Sequence, residues 1–282
     1  MITFTRLGHH GRLGNQMFQY AALMGIATKH GHEFGYPPEN EERRTAFGHN
    51  ERCDLRRVFR NIRNDWPEEG SVRISTSYYN EPDGDFSDGF KLLDACPDDC
   101  NLRGYFQSER YFKHCEGRIR HAFQFHPEVV AACSAFAATL CRRYEVGSHQ
   151  LVAVHVRRAG YLALSHILPP LTLDYYERAA GMWPPDAMFV LFGDDIRWMA
   201  ANLPRVITKA RSILIDRQRP DEALCLMTMC HGGNIIANSS FSWWGAWLNP
   251  NPQKQIVAPG KWFGPSGPRN HEGIYCPGWF RA

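Results

Sequence analysis

The chain has 282 residues, 44% of them hydrophobic and 22% charged, the balance of an ordinary soluble globular protein long enough for two domains. A formal net charge of +3 is too small to argue for a nucleic acid partner or an anionic membrane, so any basic character is local. Nine cysteines, an odd number with no C-x-x-C pair, speak against a zinc site and fit a reducing cytoplasm.

Taken in order, residues 2–7 read as a first strand, followed by a Gly-rich loop and a helix from about Asn15 to Lys29 that Gly31 ends. On that helix Met17, Ala21, Met24 and Thr28 form one stripe, with Phe18 and Ala22 beside it, the spacing of a core-facing surface. Residues 37–100 concentrate Pro, Asn, Asp and Glu and read as irregular with short elements. Leu102 to Phe106 predicts a short strand, and two helical stretches fill Ser108 to Tyr144. The nearly apolar run Val129 to Cys141 is shorter than the ~20 residues of a bilayer span and reads as a buried helix entered at Pro127. No apolar segment before a cleavage site marks a signal peptide. From Leu151 the pattern alternates: strand 151–157, helix 173–182, strand 187–192, helix 195–202, strand 212–215, helix 221–231, strand 234–237, helix 241–248, strand 255–258. Such alternation predicts a parallel sheet with helices on its faces.

The segment Leu151 to Tyr161 (LVAVHVRRAGY) carries the strongest chemical signal. Strand alternation puts His155 and Arg157 on one side and Val154, Val156 and Arg158 on the other. Ligands of open α/β sheets bind beyond the carboxyl ends of the strands, and a planar guanidinium there grips two oxygens of a phosphate or diphosphate. The plainer reading is a surface ion pair. Two further loops lie at strand ends. Asn238, Ser239, Ser240, Phe241 and Ser242 open a helix whose free N–H groups suit phosphate oxygens, although a cap accounts for one serine. Trp243, Trp244 and Trp247 on that helix read as core. Gly193, Asp194 and Asp195 follow another strand. Paired acids there suit a metal or a ribose, or Asp195 caps the helix at Ile196.

Other signals fail. Gly8, Gly11 and Gly14 do not make G-x-G-x-x-G, no P-loop exists, and no G-x-S-x-G suggests a serine nucleophile. Asp83-Gly84-Asp85 reads as a turn rather than a metal-binding D-x-D. His9-His10 and His30-x-His32 lack a third ligand at metal spacing.

The blocks Gly11-Arg12-Leu13-Gly14-Asn15-Gln16-Met17-Phe18-Gln19-Tyr20-Ala21, Arg103-Gly104-Tyr105-Phe106-Gln107-Ser108-Glu109, His155-Val156-Arg157-Arg158, Phe192-Gly193-Asp194-Asp195-Ile196 and Ile235-Ile236-Ala237-Asn238-Ser239-Ser240-Phe241-Ser242-Trp243-Trp244 closely resemble, in order, the α-1,2-fucosyltransferase family, glycosyltransferase family 11. The resemblance implies an α/β, GT-B fold of two Rossmann-like domains facing a cleft, with an acceptor-side domain over 1–148 and a nucleotide-sugar domain over 149–282. It implies an inverting transferase that uses GDP-fucose and a galactosyl acceptor, with no metal or other cofactor. By the same resemblance Arg157 binds the β-phosphate, His155 contacts the nucleoside, Ser239, Ser240 and Phe241 border the diphosphate, and Asn15, with Gln16 beside it, lies near sugar and acceptor. Asp194 and Asn238 join the donor-binding set, and Arg157 and Asn15 are the catalytic candidates. The expected partners are a nucleotide sugar and a glycan, with no nucleic acid and no membrane span; peripheral membrane contact and oligomeric state stay open.

The chain departs from the family at two places. The usual Arg-Arg-Gly-Asp-Tyr is here Arg158-Ala159-Gly160-Tyr161 after Arg157, without the acid. The Asp that holds guanine before the Leu-x-Leu-Met helix is here Ala223, with Glu222 or Asp221 as substitutes. Another nucleotide sugar, or an inactive nucleotide-binding relative, is the alternative reading. His166, Asp174 and Glu109 are unranked candidates for the general base.

Overall fold

A computed structural model describes residues 1–9, 11–37, 43–44, 50–51, 54–66, 78–80, 90–207, 211–216 and 219–282. By its contacts the chain divides into two units, Met1–His126 with Pro268–Cys276, and Pro127–Gly267 with Pro277–Ala282.

The first unit carries strands β1 (Ile2–Thr3), β2 (Phe34–Gly35), β3 (Arg43–Arg44), β4 (Asn50–Glu51), β5 (Tyr78–Asn80) and β6 (Asn101–Arg103). Four of them form a parallel sheet in the order β2-β1-β6-β5, and β3 and β4 pair antiparallel. The strands expected at 2–7 and 102–106 are thus shorter: the pairing of β1 ends at Thr3, and Gly104, at φ 148, follows β6. Helix α1 (Leu13–His30) ends where Gly31, at φ 72, turns left-handed and donates its N–H to the Ala27 carbonyl. Its expected one-sided stripe is corrected. The helix is buried on nearly all sides, including Gln16, Gln19 and Tyr20, and Met24 and Thr28 lie on its less buried flank. A helix covered all round leaves little one-face periodicity in its sequence. Helices α2 (Leu55–Val58), α3 (Lys91–Asp94) and α4 (Glu116–Ala122) are short. The 83–85 turn, His10 and Cys53 lie outside the described residues.

The second unit begins with α5 (Pro127–Tyr144), which starts at the expected proline. It is not a buried helix: only Val129, Cys133, Ala137 and Leu140 are buried, a stripe that packs against α8 (Pro220–Met229), while Val130 and Phe136 are exposed. This packing takes the helix into the second unit, ahead of a boundary at 148, and residues 268–276 join the first.

Strands β7 (Leu151–Val156), β8 (Met188–Gly193), β9 (Arg211–Leu214), β10 (Gly233–Ile235), β11 (Gln255–Ala258) and β12 (Phe280–Arg281) form one parallel sheet in the order β12-β11-β10-β7-β8-β9. Helices α6 (Leu173–Ala180), α7 (Ile196–Val206) and α9 (Ser240–Leu248) alternate with them as expected, and β12 is an edge strand that its two residues did not announce. Val152, Val154 and Val156 share a core with Tyr175, Tyr176 and Ala179 of α6 and Met199 and Leu203 of α7. Trp243, Trp244 and Trp247 are buried, as a core role requires. Among the described residues no helix is long and apolar enough to cross a membrane.

Candidate active site

Strand order locates the site. From β7 the chain builds outward to β8 and β9 on one side, then returns to build β10, β11 and β12 on the other. The switch point of this sheet therefore lies between β7 and β10, and the crevice beyond their carboxyl ends is where such sheets bind ligands. The residues there are Arg157 after β7 and Asn238, Ser239 and Ser240 after β10, with Asp194 after β8.

Side-chain alternation along β7 carries through its end. Val156 faces the α6 and α7 core, and Arg158 follows on that side, its guanidinium 4.8 Å from the Trp198 ring and 3.4 Å from the Asp195 carboxylate. His155 faces the other way, its ring 5.7 Å from that of Phe241 at the start of α9. Arg157 is partly buried, and its Nη1 is 2.8 Å from Asp194 Oδ2.

Asp194 works harder than either sequence reading supposed. Its Oδ1 accepts the backbone N–H groups of Arg158 (2.7 Å) and Ala159 (3.2 Å), and its Oδ2 accepts that of Gly160 (3.3 Å) as well as Arg157. Both oxygens are thus used twice, which leaves this carboxylate little capacity for a metal or a ribose and makes it the organiser of the turn after β7. Burial alone would raise its pKa, but the N–H of Arg158, the Arg157 guanidinium and the N–H groups of Gly160 and Ala159 together hold it below the usual carboxylate range. Asp195 caps α7, accepting the Trp198 N–H at 3.1 Å.

His155 is buried, and its Nδ1 has no hydrogen-bond partner. Burial and then the neighbouring Arg157 push its pKa from 6.5 down to about 3, so the imidazole is neutral at physiological pH. Asn238 is buried too. Its Nδ2 donates to the carbonyls of Pro169 and Trp262, both at 3.0 Å, while its Oδ1 is unpartnered. Ser239 is the N-cap of α9, yet its side chain makes no capping bond, so no N-cap oxygen occupies the first turn of the helix. Ser242 turns back to the carbonyls of Ala237 and Ser239. Tyr161 is the residue that sequence reasoning missed. Its hydroxyl donates to the Asn238 carbonyl at 3.0 Å, and the Arg157 guanidinium sits 5.3 Å from its ring centre. Burial raises its pKa and keeps the phenol protonated. The available signal was an aromatic residue one turn beyond the strand.

Glu222 lies at the start of α8, where it closes a capping box with the Arg219 N–H (3.4 Å), and both it and Asp221 pair with the Arg219 side chain. Ala223 occupies the same first turn. His166 is exposed, and Asp174 is an exposed first-turn residue of α6 paired with Arg178 at 3.0 Å.

In the first unit, Asn15 Oδ1 accepts from Gln107 Nε2 at 2.9 Å, and Gly11, at φ 92, leaves room for the Asn15 amide that any Cβ there would strike at 2.0 Å. Gln16 is buried and structural: its Oε1 accepts the Asp54 N–H at 2.8 Å and its Nε2 donates to the Gly11 carbonyl. Gln19, equally buried, ties the loop to the Gly104 carbonyl at 3.1 Å. Glu109 is buried and pairs with Lys113 at 3.4 Å. Among the described residues no group of three or more His, Cys, Asp or Glu side chains is arranged to hold a metal.

Two units, each built on a parallel α/β sheet and one of them with an arginine and a helix start at its switch point, make a fold of GT-B type. The solved structure of the fucosyltransferase NodZ from Bradyrhizobium has this fold, with a TM-score of 0.51 at 15% identity, covering 88% of this chain and 93% of that one. The chain matches glycosyl transferase family 11 over residues 3–281 and belongs to that family. Among curated relatives, the O-antigen biosynthesis glycosyltransferase WbnK of Escherichia coli is 30% identical over 57% of this chain and 55% of its own length. An alpha-1,2-colitosyltransferase of the same species is 26% identical over 90% of both chains. Galactoside 2-alpha-L-fucosyltransferase SEC1 of Bos taurus is 25% identical over 84% of this chain and 62% of its own length, so the match spans little more than half of two of these relatives.

Proposed function

We propose that this glycosyltransferase moves fucose from GDP-fucose to a galactosyl hydroxyl in α-1,2 linkage, with inversion and without a divalent metal. The second unit is the donor side and the first, with Asn15, the acceptor side. The observation that carries the reading is Arg157 held by Asp194 at the switch point, on the same sheet end as the uncapped first turn of α9. As the bond to the anomeric carbon breaks, negative charge gathers on the β-phosphate. A preorganised guanidinium and helix N-terminal amides stabilise that charge where it develops, the role a metal plays in other transferases. The plainer reading of Arg157, a surface ion pair, accounts less well for a partly buried guanidinium whose carboxylate partner is committed to three backbone N–H groups.

One observation favours a second donor. A relative that covers 90% of this chain is named for colitose rather than fucose. GDP release is therefore to be measured with GDP-fucose, GDP-colitose and GDP-mannose against a galactoside, with and without EDTA. Turnover with GDP-fucose that survives the chelator supports the proposal. Preference for another donor replaces fucose, loss in EDTA with recovery on Mn²⁺ or Mg²⁺ refutes metal independence, and binding without turnover indicates an inactive relative.

A further inference from the structure

The turn after β7 and the turn after β10 are separate stretches of chain that must present their groups to one anion. Asp194 ties the first turn to β8, but it makes no bond to the second. Tyr161 does. Its hydroxyl reaches the Asn238 carbonyl at 3.0 Å, immediately before the N-cap Ser239, and its ring supports the Arg157 guanidinium at 5.3 Å. A cation over an aromatic face is held in one orientation without losing the N–H groups that point away from the ring. Directly before Tyr161, Gly160 leaves the space the guanidinium occupies: a Cβ there would lie 2.9 Å from Arg157 Nη2 and 3.9 Å from Asp194 Oδ2, with no backbone atom nearby.

We propose that Tyr161 is a positioning residue that locks the Arg157 guanidinium and the N-terminal turn of α9 into a single diphosphate-binding unit, and that the absence of a side chain at Gly160 sets the pose of that guanidinium. The inference rests on the nucleotide-diphosphate reading above and deepens it. Tyr161 acts through Arg157 and the Asn238–Ser239 backbone. Its removal therefore weakens recognition of the second phosphate selectively, whereas a merely structural residue would weaken every ligand alike.

The test compares GDP with GMP by calorimetry in wild type, Tyr161→Phe, Tyr161→Leu and Gly160→Ala. Tyr161→Phe keeps the ring and loses the hydroxyl, with its bond to the Asn238 carbonyl and its contacts to the Arg157 and Ser239 side chains, so GDP affinity falls roughly 5- to 10-fold while GMP affinity stays within about twofold. Tyr161→Leu also loses the cation–ring contact and falls about threefold or more further for GDP alone. Gly160 is exposed and its added methyl crowds the Arg157 guanidinium alone, with Asp194 Oδ2 at ordinary contact distance, so Gly160→Ala folds normally and shifts GDP affinity in the same selective direction even if a Tyr161 variant does not fold. Wild type that binds GDP no tighter than GMP overturns the diphosphate reading and this inference with it. Wild-type discrimination that survives in the variants, or equal losses for GDP and GMP, overturns the inference alone.

Discussion

His155 sets a pH dependence that can be worked out from its surroundings. It is buried on the central strand, its Nδ1 lacks a partner, and its folded pKa is about 3 against 6.5 when exposed. Between those values the unfolded chain binds a proton that the folded chain refuses. The contribution of this group to stability is therefore fully present above pH 6.5 and declines as pH falls toward 3. One pH unit within the window corresponds to about 1.4 kcal/mol, so lowering the pH from about 7.5 to about 5 removes roughly 2 kcal/mol through this side chain alone. Replacing it with a residue that does not titrate, His155→Gln, lowers stability at neutral pH through altered packing but abolishes this part of the slope. Hydrogen exchange at the amides of Val152, Val154 and Ile235 reads the opening of the sheet directly. The difference in opening free energy between about pH 7.5 and about pH 5 is expected to be roughly 2 kcal/mol larger in wild type than in His155→Gln. Asp194, whose lowered pKa makes the sheet lose stability in the same direction, is present in both proteins and cancels in the comparison. Equal pH dependence in the two proteins would mean that the imidazole is not held neutral, and the account of its burial would be wrong.

The arginines divide by face, so Arg157→Ala is expected to lower turnover roughly 100-fold or more with little effect on folding, as expected for loss of a donor to a developing oxyanion. Arg158→Ala, which loses the contacts to Asp195 and Trp198, is expected to lower the melting temperature and leave kcat of the folded protein near wild type; reversal of the two phenotypes refutes the strand-end assignment. At the start of α8, Asp221 and Glu222 are engaged by Arg219. Ala223→Asp then supplies a carboxylate with no such tie, and GDP binding is expected to tighten by about 1.5–3 kcal/mol with no gain for UDP, because only guanine offers the paired N1–H and N2–H₂ donors. Unchanged GDP affinity in calorimetry would mean that guanine is read elsewhere.

The second unit was legible in the residues because a sheet buried on both faces leaves unbroken apolar strands punctuated by capped helices. β7, β8, β9, β10 and β11 lie within a residue or two of their expected bounds. The alternation that split Arg157 from Arg158 is likewise a local property of a strand, and it survives just past the strand end. The first unit was less legible. Strands of two or three residues carry no measurable period, and α1 is covered on nearly every side, so neither writes a one-face pattern into the sequence. What no local rule reaches is partnership between distant residues. Asp194, with Asp195, reads as half of an acid pair for a metal or a ribose; its bonds to the N–H groups of Arg158, Ala159 and Gly160 are visible only in the fold. Glu222 reads as a substitute guanine ligand, and only the fold shows that it also pairs with Arg219. Tyr161 closes the Arg157-Arg158-Ala159-Gly160-Tyr161 stretch with no role written in it, and it enters the site because parallel pairing of β7 with β10 brings two loops, 77 residues apart along the chain, into hydrogen-bonding distance. The sequence sets which groups stand at the strand ends, since pleat and period are local; which of them remain available for a ligand is decided by strand order, because that alone determines whose donors reach whose acceptors.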